Sequence, residues 1–275
     1  PGDKFQDVFG HTLLELAKSD QHIVGITPAM PSGCSMKILM DELPEQCFDV
    51  GIAEQHAVTF SAGLATNGMI PFCNIYSTFF QRGLDQFIHD VCLQNLPVIF
   101  CLDRAGVVGE DGATHHGVFD ISLARAIPNC IIMAPANNAE LRQMMYTAVH
   151  CHQPVIIRYP KGSGGNQAWN VPFKSMTIGE SIITKKGTDC CILALGSMLD
   201  EAMRAAEVLR KSGISVQVIN ARFAKPLDHA KLDQVLDQCN CILTLEDGSK
   251  IGGFGSAIVS YANENNYKGN VHVLG

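Results

Sequence analysis

The sequence predicts an α/β protein of two domains, each a largely parallel sheet covered by helices. Three observations carry that expectation. Short β-branched, apolar runs alternate with stretches whose apolar residues recur near the helical period, the pattern of repeated β-α units. The 275 residues are long for one core and sufficient for two. A polar segment with three glycines, Lys161-Gly162-Ser163-Gly164-Gly165-Asn166-Gln167, interrupts the alternation where little apolar surface can be buried. The chain is therefore divided into residues 1–160, a linker over 161–177 and a second domain over 178–275.

In the first domain, strands are expected at 23–27, 72–76, 98–102, 130–134 and 155–159, and helices at 3–19, 54–66, 77–94 and 138–151. In the second, strands at 190–195, 216–220 and 241–246 alternate with helices at 199–211, 227–238 and 253–264. Gly213 follows Arg210 and Lys211 and supplies the left-handed stop that ends many helices. Residues 271–275 read as a further strand. Domains rarely end on a buried strand, so the natural polypeptide is expected to continue.

Hydrophobic residues make up 47% of the chain and charged residues 17%, which suits a packed core and not a disordered segment. No apolar run approaches the roughly 18 residues of a membrane span, and the first seven residues lack the basic-then-apolar pattern of a secretory signal. A cytoplasmic protein is expected, or a plastid one if the source is a plant or alga, with no membrane partner. The formal net charge of -7, without a basic block, argues against nucleic acid. The 11 cysteines fall mostly in apolar runs such as Ile99-Phe100-Cys101-Leu102, as reduced core residues do. Neither Cys190-Cys191 nor Cys239 with Cys241 has zinc-knuckle spacing, so no metal ligands are assigned.

In open α/β sheets ligands bind where loops gather at the carboxyl ends of strands, and three such places carry polar residues. At the first, Asp49-Val50-Gly51-Ile52-Ala53-Glu54-Gln55-His56 puts Glu54 in the first turn of a helix, where it is either a functional carboxylate or a partner of the helix dipole. At the second, residues 103–117 form a long loop with four glycines, Arg104, Asp111, His115 and His116. Loops of that length in compact domains are usually functional, although either histidine alone reads equally well as structural. At the third, Tyr76-Ser77-Thr78-Phe79-Phe80-Gln81-Arg82 runs from a strand end into a helix, with Arg82 either turned into the mouth or lying on the helix surface.

These residues, with Asp103-Arg104-Ala105-Gly106, Asp111-Gly112, Thr114-His115, Arg158-Tyr159-Pro160-Lys161-Gly162, Ala221-Arg222-Phe223 and Lys225-Pro226-Leu227-Asp228, resemble the deoxyxylulose-phosphate synthases. The resemblance runs in order along essentially the whole chain. It implies the pyrimidine-binding and carboxy-terminal domains of a transketolase-like, thiamine-diphosphate-dependent transferase. Such an enzyme condenses pyruvate with glyceraldehyde 3-phosphate with loss of carbon dioxide, the first step of the non-mevalonate isoprenoid pathway, whose product also feeds thiamine biosynthesis.

By the same resemblance Glu54 would bond a ring nitrogen of the cofactor's aminopyrimidine, with Phe79 and Arg82 also on the cofactor. Asp111 and His115 would serve near the reacting carbon. Tyr76, Arg82, Arg104 and Arg158 would surround the acceptor's phosphate, for which guanidinium forks have the right geometry. Magnesium and diphosphate ligands are expected in an amino-terminal half outside this chain, and a homodimer is expected of the whole. The Gly-Asp-Gly and asparagine pattern that holds magnesium diphosphate has only a look-alike here, Glu110-Asp111-Gly112 with Asn137-Asn138. Its first glycine is a glutamate, and the asparagines read as helix caps. The rival readings are the beta subunit of a 2-oxo acid dehydrogenase, a split transketolase, and a non-catalytic assembly module.

Overall fold

The computed structural model describes residues 2–275. Helix α1 (Phe5–Ser19) leads to β1 (Ile23–Thr27), α2 (Lys37–Glu42), β2 (Cys47–Asp49), α3 (Glu54–Thr66) and β3 (Ile70–Tyr76). After β3 come a single turn α4 (Ser77–Phe80), a 3-10 turn (Gln81–Gly83), another turn α5 (Leu84–Gln86) and a π-helical stretch (Phe87–Cys92). Then follow β4 (Ile99–Asp103), α6 (Asp120–Arg125), β5 (Ile131–Met133), α7 (Asn138–Val149) and β6 (Val155–Arg158). The remainder is β7 (Ile182–Lys185), β8 (Cys190–Ala194), α8 (Met198–Lys211), β9 (Val216–Asn220), β10 (Phe223–Lys225), α9 (His229–Gln238), β11 (Cys241–Leu245), α10 (Phe254–Glu264) and β12 (Asn270–Leu274).

Two sheets result, in strand orders β10-β5-β6-β4-β3-β1-β2 and β12-β11-β8-β9-β7. All neighbours are parallel except β10 on β5 and β7 on β9. β1, β4, β5 and β6 are buried along their whole length, which is why they read as continuous apolar runs. One face of the first sheet packs Phe80, Phe87 and Phe100 under α3, and the other packs Phe72 and Tyr159 against Phe5 and Phe9 of α1 and against α7. The sheet's central strands β3, β4 and β6 thereby bring Tyr76, Asp103 and Arg158 to one rim, with Tyr76 opposite Asp103 and Leu102 opposite Arg158 in register.

One expectation is corrected, and three features add to the rest. The helix over 77–94 is broken into short turns at Gly83, whose φ of -101° and ψ of 11° leave the helical region. The position suits a glycine, since a side chain would meet Val58 Cγ2 at 2.9 Å and the Glu54 carbonyl at 3.3 Å. The polar segment after residue 160 lies against the first sheet's helices: Arg142 donates to the Val171 carbonyl (2.8 Å) and covers the Phe173 ring, and the Met176 N–H donates to Thr147 Oγ1 (2.9 Å). β10, from beyond residue 178, completes the first sheet, with Phe223 opposite Met133. The strand expected over 271–275 is present as β12, at a sheet edge with alternating exposure.

Candidate active site

Asp49 folds the turn that delivers Glu54. Its Oδ1 accepts from the backbone N–H groups of Ala29 (2.8 Å) and Gly51 (3.0 Å), and Gly51 takes the left-handed φ of 73° that the turn requires. Glu54 then opens α3 with its side chain only 5% exposed. Arg82 Nη1, from the broken segment, donates to Glu54 Oε1 at 2.9 Å. Among the described residues no side chain donates to Oε2.

Tyr76, Phe79 and Arg82 recur at intervals of three, and the short α and 3-10 turns keep such residues on one side. The Tyr76 and Phe79 rings stack at 5.9 Å, and the Arg82 guanidinium carbon is 5.0 Å from the Phe79 centroid. His115 meets Phe79 edge-on at 5.5 Å, its Nδ1 3.0 Å from Thr114 Oγ1. The loop is tied down there by Thr78 Oγ1, which donates to the Thr114 carbonyl at 3.1 Å. His116 faces elsewhere, accepting at Nδ1 from the Val108 N–H.

Arg104 has a φ of 60°, unusual for a residue with a side chain, and this turns its guanidinium onto the Tyr76 ring at 3.9 Å. Nη1 donates to the Gly33 carbonyl at 3.1 Å. Gly33 has no room for a side chain, since a Cβ would stand 1.9 Å from the Tyr76 hydroxyl. On its other side Arg104 Nε lies 3.8 Å from Asp111 Oδ2, and Lys161 Nζ donates to Asp111 Oδ1 at 2.7 Å. The Lys161 hydrogen bond holds Asp111 below the usual carboxylate range. Burial pushes the Tyr76 hydroxyl up to about 12, so it is a neutral donor near neutrality.

Glu54, Tyr76, Phe79, Arg82, Arg104, Asp111 and His115 thus form one connected group. Arg82 joins it at the Glu54 end, not beside Arg104. Arg158 does not join. Its side chain is 2% exposed, with Nε donating to Asp120 Oδ2 (2.8 Å) and Nη1 to Asp247 Oδ1 (2.5 Å). Burial opposes the guanidinium charge, but the two carboxylates outweigh it and hold Arg158 above its ordinary range. Two of its nitrogens are taken by carboxylates, and Nη2 is buried with no hydrogen-bond partner among the described residues. Arg158 ties β6 to α6, and through Asp247 to the loop after β11.

Lys161 is the functional candidate that strand-end reasoning missed. It follows β6 by three residues, the same signal that singles out the other positions, but the glycines around it make it read as linker. Ile52, 83% exposed beside the buried Glu54, is the second. The asparagines of the look-alike pattern are engaged elsewhere: Asn137 caps α7 by accepting from the Glu140 N–H, and Asn138 donates to the Asp3 carbonyl.

Residues 4–166 match the family described as transketolase, pyrimidine binding domain, and residues 179–275 match transketolase, C-terminal domain. Among curated relatives, the 1-deoxy-D-xylulose-5-phosphate synthase of Cytophaga hutchinsonii is 52% identical over 274 residues, 99% of this chain and 43% of that protein. The enzyme of the same name from Halothermothrix orenii is 51% identical over 265 residues, 96% of this chain and 42% of that protein. The chain therefore spans about two fifths of the length of these relatives. Among solved structures, a split-gene transketolase in an inactive beta4 tetramer superposes with a TM-score of 0.89 at 29% identity, covering 100% of this chain and 89% of that one. Transketolase from Campylobacter jejuni has a TM-score of 0.79 at 20% identity, over 99% of this chain and 42% of that one, and shows the shared fold. By sequence and by fold alike, the chain belongs to the transketolase family, of which it carries the pyrimidine-binding domain followed by the C-terminal domain.

Proposed function

We propose that this chain supplies the pyrimidine-binding and acceptor-binding part of a 1-deoxy-D-xylulose-5-phosphate synthase, which joins pyruvate to D-glyceraldehyde 3-phosphate with loss of carbon dioxide. The observation that carries this reading is the continuous contact from Glu54 through Arg82, Phe79 and Tyr76 to Arg104. It joins a buried carboxylate and an aromatic face to a cationic pocket, in a chain 52% identical to a synthase of that name. The split-transketolase alternative is less favoured, at 29% identity.

Thiamine diphosphate, when bound, supplies the electron sink that decarboxylation of a 2-oxo acid requires. The residues present fit its aminopyrimidine. Glu54 offers Oε2 to a ring nitrogen while Arg82 occupies Oε1, Phe79 offers a ring face, and the exposed Ile52 offers apolar surface that a bound ring would cover. The ligands of magnesium and diphosphate are assigned to the part of the relatives that lies outside this chain, and the whole enzyme is read as a homodimer. His115 stands on the Phe79 edge, where it can hold or pass a proton near the reacting carbon, and Asp111 pairs with the cations Lys161 and Arg104.

For the acceptor, Arg104 and Lys161 supply two charges and Tyr76 a neutral hydroxyl, a donor set suited to a phosphate monoester. Lys161 takes the place that the resemblance gives to Arg158. Replacement of Glu54 by alanine in the full-length protein tests the reading at its centre. Exchange of the cofactor's thiazolium C2 proton should fall by at least about 100-fold, the range for loss of a positioned acid-base group. Wild-type exchange in that variant removes Glu54 from the role.

A further inference from the structure

Beneath Arg104, at the last position of β4, lies a carboxylate to which the acceptor pocket assigns no part. Asp103 is fully buried, and Tyr76 is its register partner on β3. Arg104 Nη1 stands 3.0 Å from Asp103 Oδ2 but off the line of a hydrogen bond. Among the described residues neither Asp103 oxygen has an aligned donor. Interior carboxylates normally collect several donors, whereas the ionised form of this one is favoured by Arg104 alone, through its guanidinium charge and, more weakly, its backbone N–H.

The groups that face Asp103 come from every surrounding element: Asp7 on α1, Cys34 in the loop after β1, Tyr76 on β3, Cys101 on β4 itself and Tyr159 after β6. Burial pushes Cys34 and Tyr76 up to about 12 and raises Cys101 and Tyr159 as well, so these four stay neutral at neutral pH. Asp7 adds a like charge. The countercharge is Arg104, whose other edge faces Asp111 and Lys161 in the acceptor pocket.

We propose that Asp103 is a proton-linked positioning residue for that pocket: it and an anion bound on the outer side share the one guanidinium of Arg104, so anion binding draws a proton onto Asp103. The inference deepens the synthase reading and rests on it for the identity of the anion. Two effects compete when Asp103 ionises. It could order Arg104 and so favour the ligand, or repel the ligand's charge across the guanidinium. Order is already supplied by the Gly33 carbonyl and the Tyr76 ring. Repulsion therefore decides the sign, and the protonated form binds the anion more tightly. By reciprocity the anion raises the proton affinity of Asp103. Burial already pushes that carboxyl up to about 7, which places the exchange in the neutral range.

A phosphate monoester completes its own ionisation near pH 6, so above about pH 7 it no longer titrates. The full-length protein should therefore show a KM for D-glyceraldehyde 3-phosphate that rises roughly five- to ten-fold between about pH 7 and 8.5, the lower end of the coupling usual between two linked sites. The KM for unphosphorylated D-glyceraldehyde should lack that inflection. Asp103→Asn should remove the inflection for the phosphorylated acceptor, whereas an inflection that survives in the variant overturns the proposal. Calorimetry of the wild-type protein with sulfate, which does not titrate in this range, decides the matter even if the variant fails to fold. At pH 7.5, in two buffers of different ionisation enthalpy, a fraction of a proton should be taken up per sulfate bound. No binding, or binding without uptake, overturns the proposal. Absence of turnover with pyruvate and glyceraldehyde 3-phosphate would instead count against the synthase reading and leave the sulfate result standing.

Discussion

Replacing Asp247 by alanine removes one of the two carboxylates that enclose Arg158. Breaking a buried ion pair from one side costs about 3–5 kcal/mol, because the remaining charge is left without compensation. Asp120 stays 2.8 Å from Nε, and the Asp247 side chain is itself 12% exposed, so the cost belongs at the lower end, about 3 kcal/mol. With a urea dependence of about 2 kcal/mol per molar, the unfolding midpoint should fall by roughly 1.5 M. Arg158→Met should cost as much or more, since it leaves Asp120 and Asp247 facing one another. Adding Asp120→Asn and Asp247→Asn to that variant should restore most of the loss. Urea titrations followed by circular dichroism and Trp169 fluorescence supply the measurement. A midpoint change below about 0.3 M for Asp247→Ala refutes the ion-pair account. So does an Arg158→Met variant of unchanged midpoint whose acceptor KM has risen more than about ten-fold, which would return the arginine to the phosphate pocket.

Lys161→Met or Arg104→Met in the full-length protein should raise the acceptor KM by about 10- to 100-fold, the loss of one charge-assisted hydrogen bond. The pyruvate KM should stay within two-fold, roughly, and an equal rise in both would give these cations a more general role. Gly33→Ala would set a Cβ 1.9 Å from the Tyr76 hydroxyl, so it should displace Tyr76 and Arg104 and raise the same KM; a wild-type value would show that the loop simply yields. Asp103 should leave its mark on stability as well as binding. Its folded pKa of about 7 lies above the ordinary carboxyl value of 3.8, so the folded state holds the proton more tightly and stability falls as pH rises between those values. The full effect is at most about 4 kcal/mol, at about 1.4 kcal/mol for each tenfold change in proton affinity. Asp103→Asn should flatten the dependence of the urea midpoint on pH over that window, and parallel profiles would refute the assignment. The chain by itself should fold and bind thiamine diphosphate with magnesium only weakly, because the aminopyrimidine contacts would act without the ionic anchor; micromolar affinity by calorimetry would place the diphosphate site within these residues.

What is legible in the sequence follows burial. Strands β1, β4 and β6, covered on both faces, appear there as uninterrupted apolar runs, and the helix over Glu54–Thr66 starts and stops where the turn residues say. The short edge strands β2 and β10 carry no such signal, since three residues cannot establish a period. β10 belongs to the first sheet only because the chain returns to β5 after β9. At the site, local order places Glu54 before its helix and spaces Tyr76, Phe79 and Arg82 by three. The partners of each charge are not legible. Arg158 and Lys161 sit three residues apart on the same strand end, and only the packing of Asp120 and Asp247 shows that the first is enclosed and the second presented. In the sequence Asp103 is simply part of a loop motif, while its burial beneath Arg104 depends on α1 and the loop after β1 closing over it.

On the proposed reading, Glu54 and the Arg104 pocket serve one reaction between a 2-oxo acid and a phosphorylated aldehyde. Release of carbon dioxide by the full-length protein, followed with pyruvate plus D-glyceraldehyde 3-phosphate and compared with each substrate alone, tests it most directly. Release should be sustained with both substrates and fall by at least about 100-fold in Glu54→Ala. Ketol transfer between sugar phosphates without consumption of pyruvate, or turnover retained in Glu54→Ala, would contradict it.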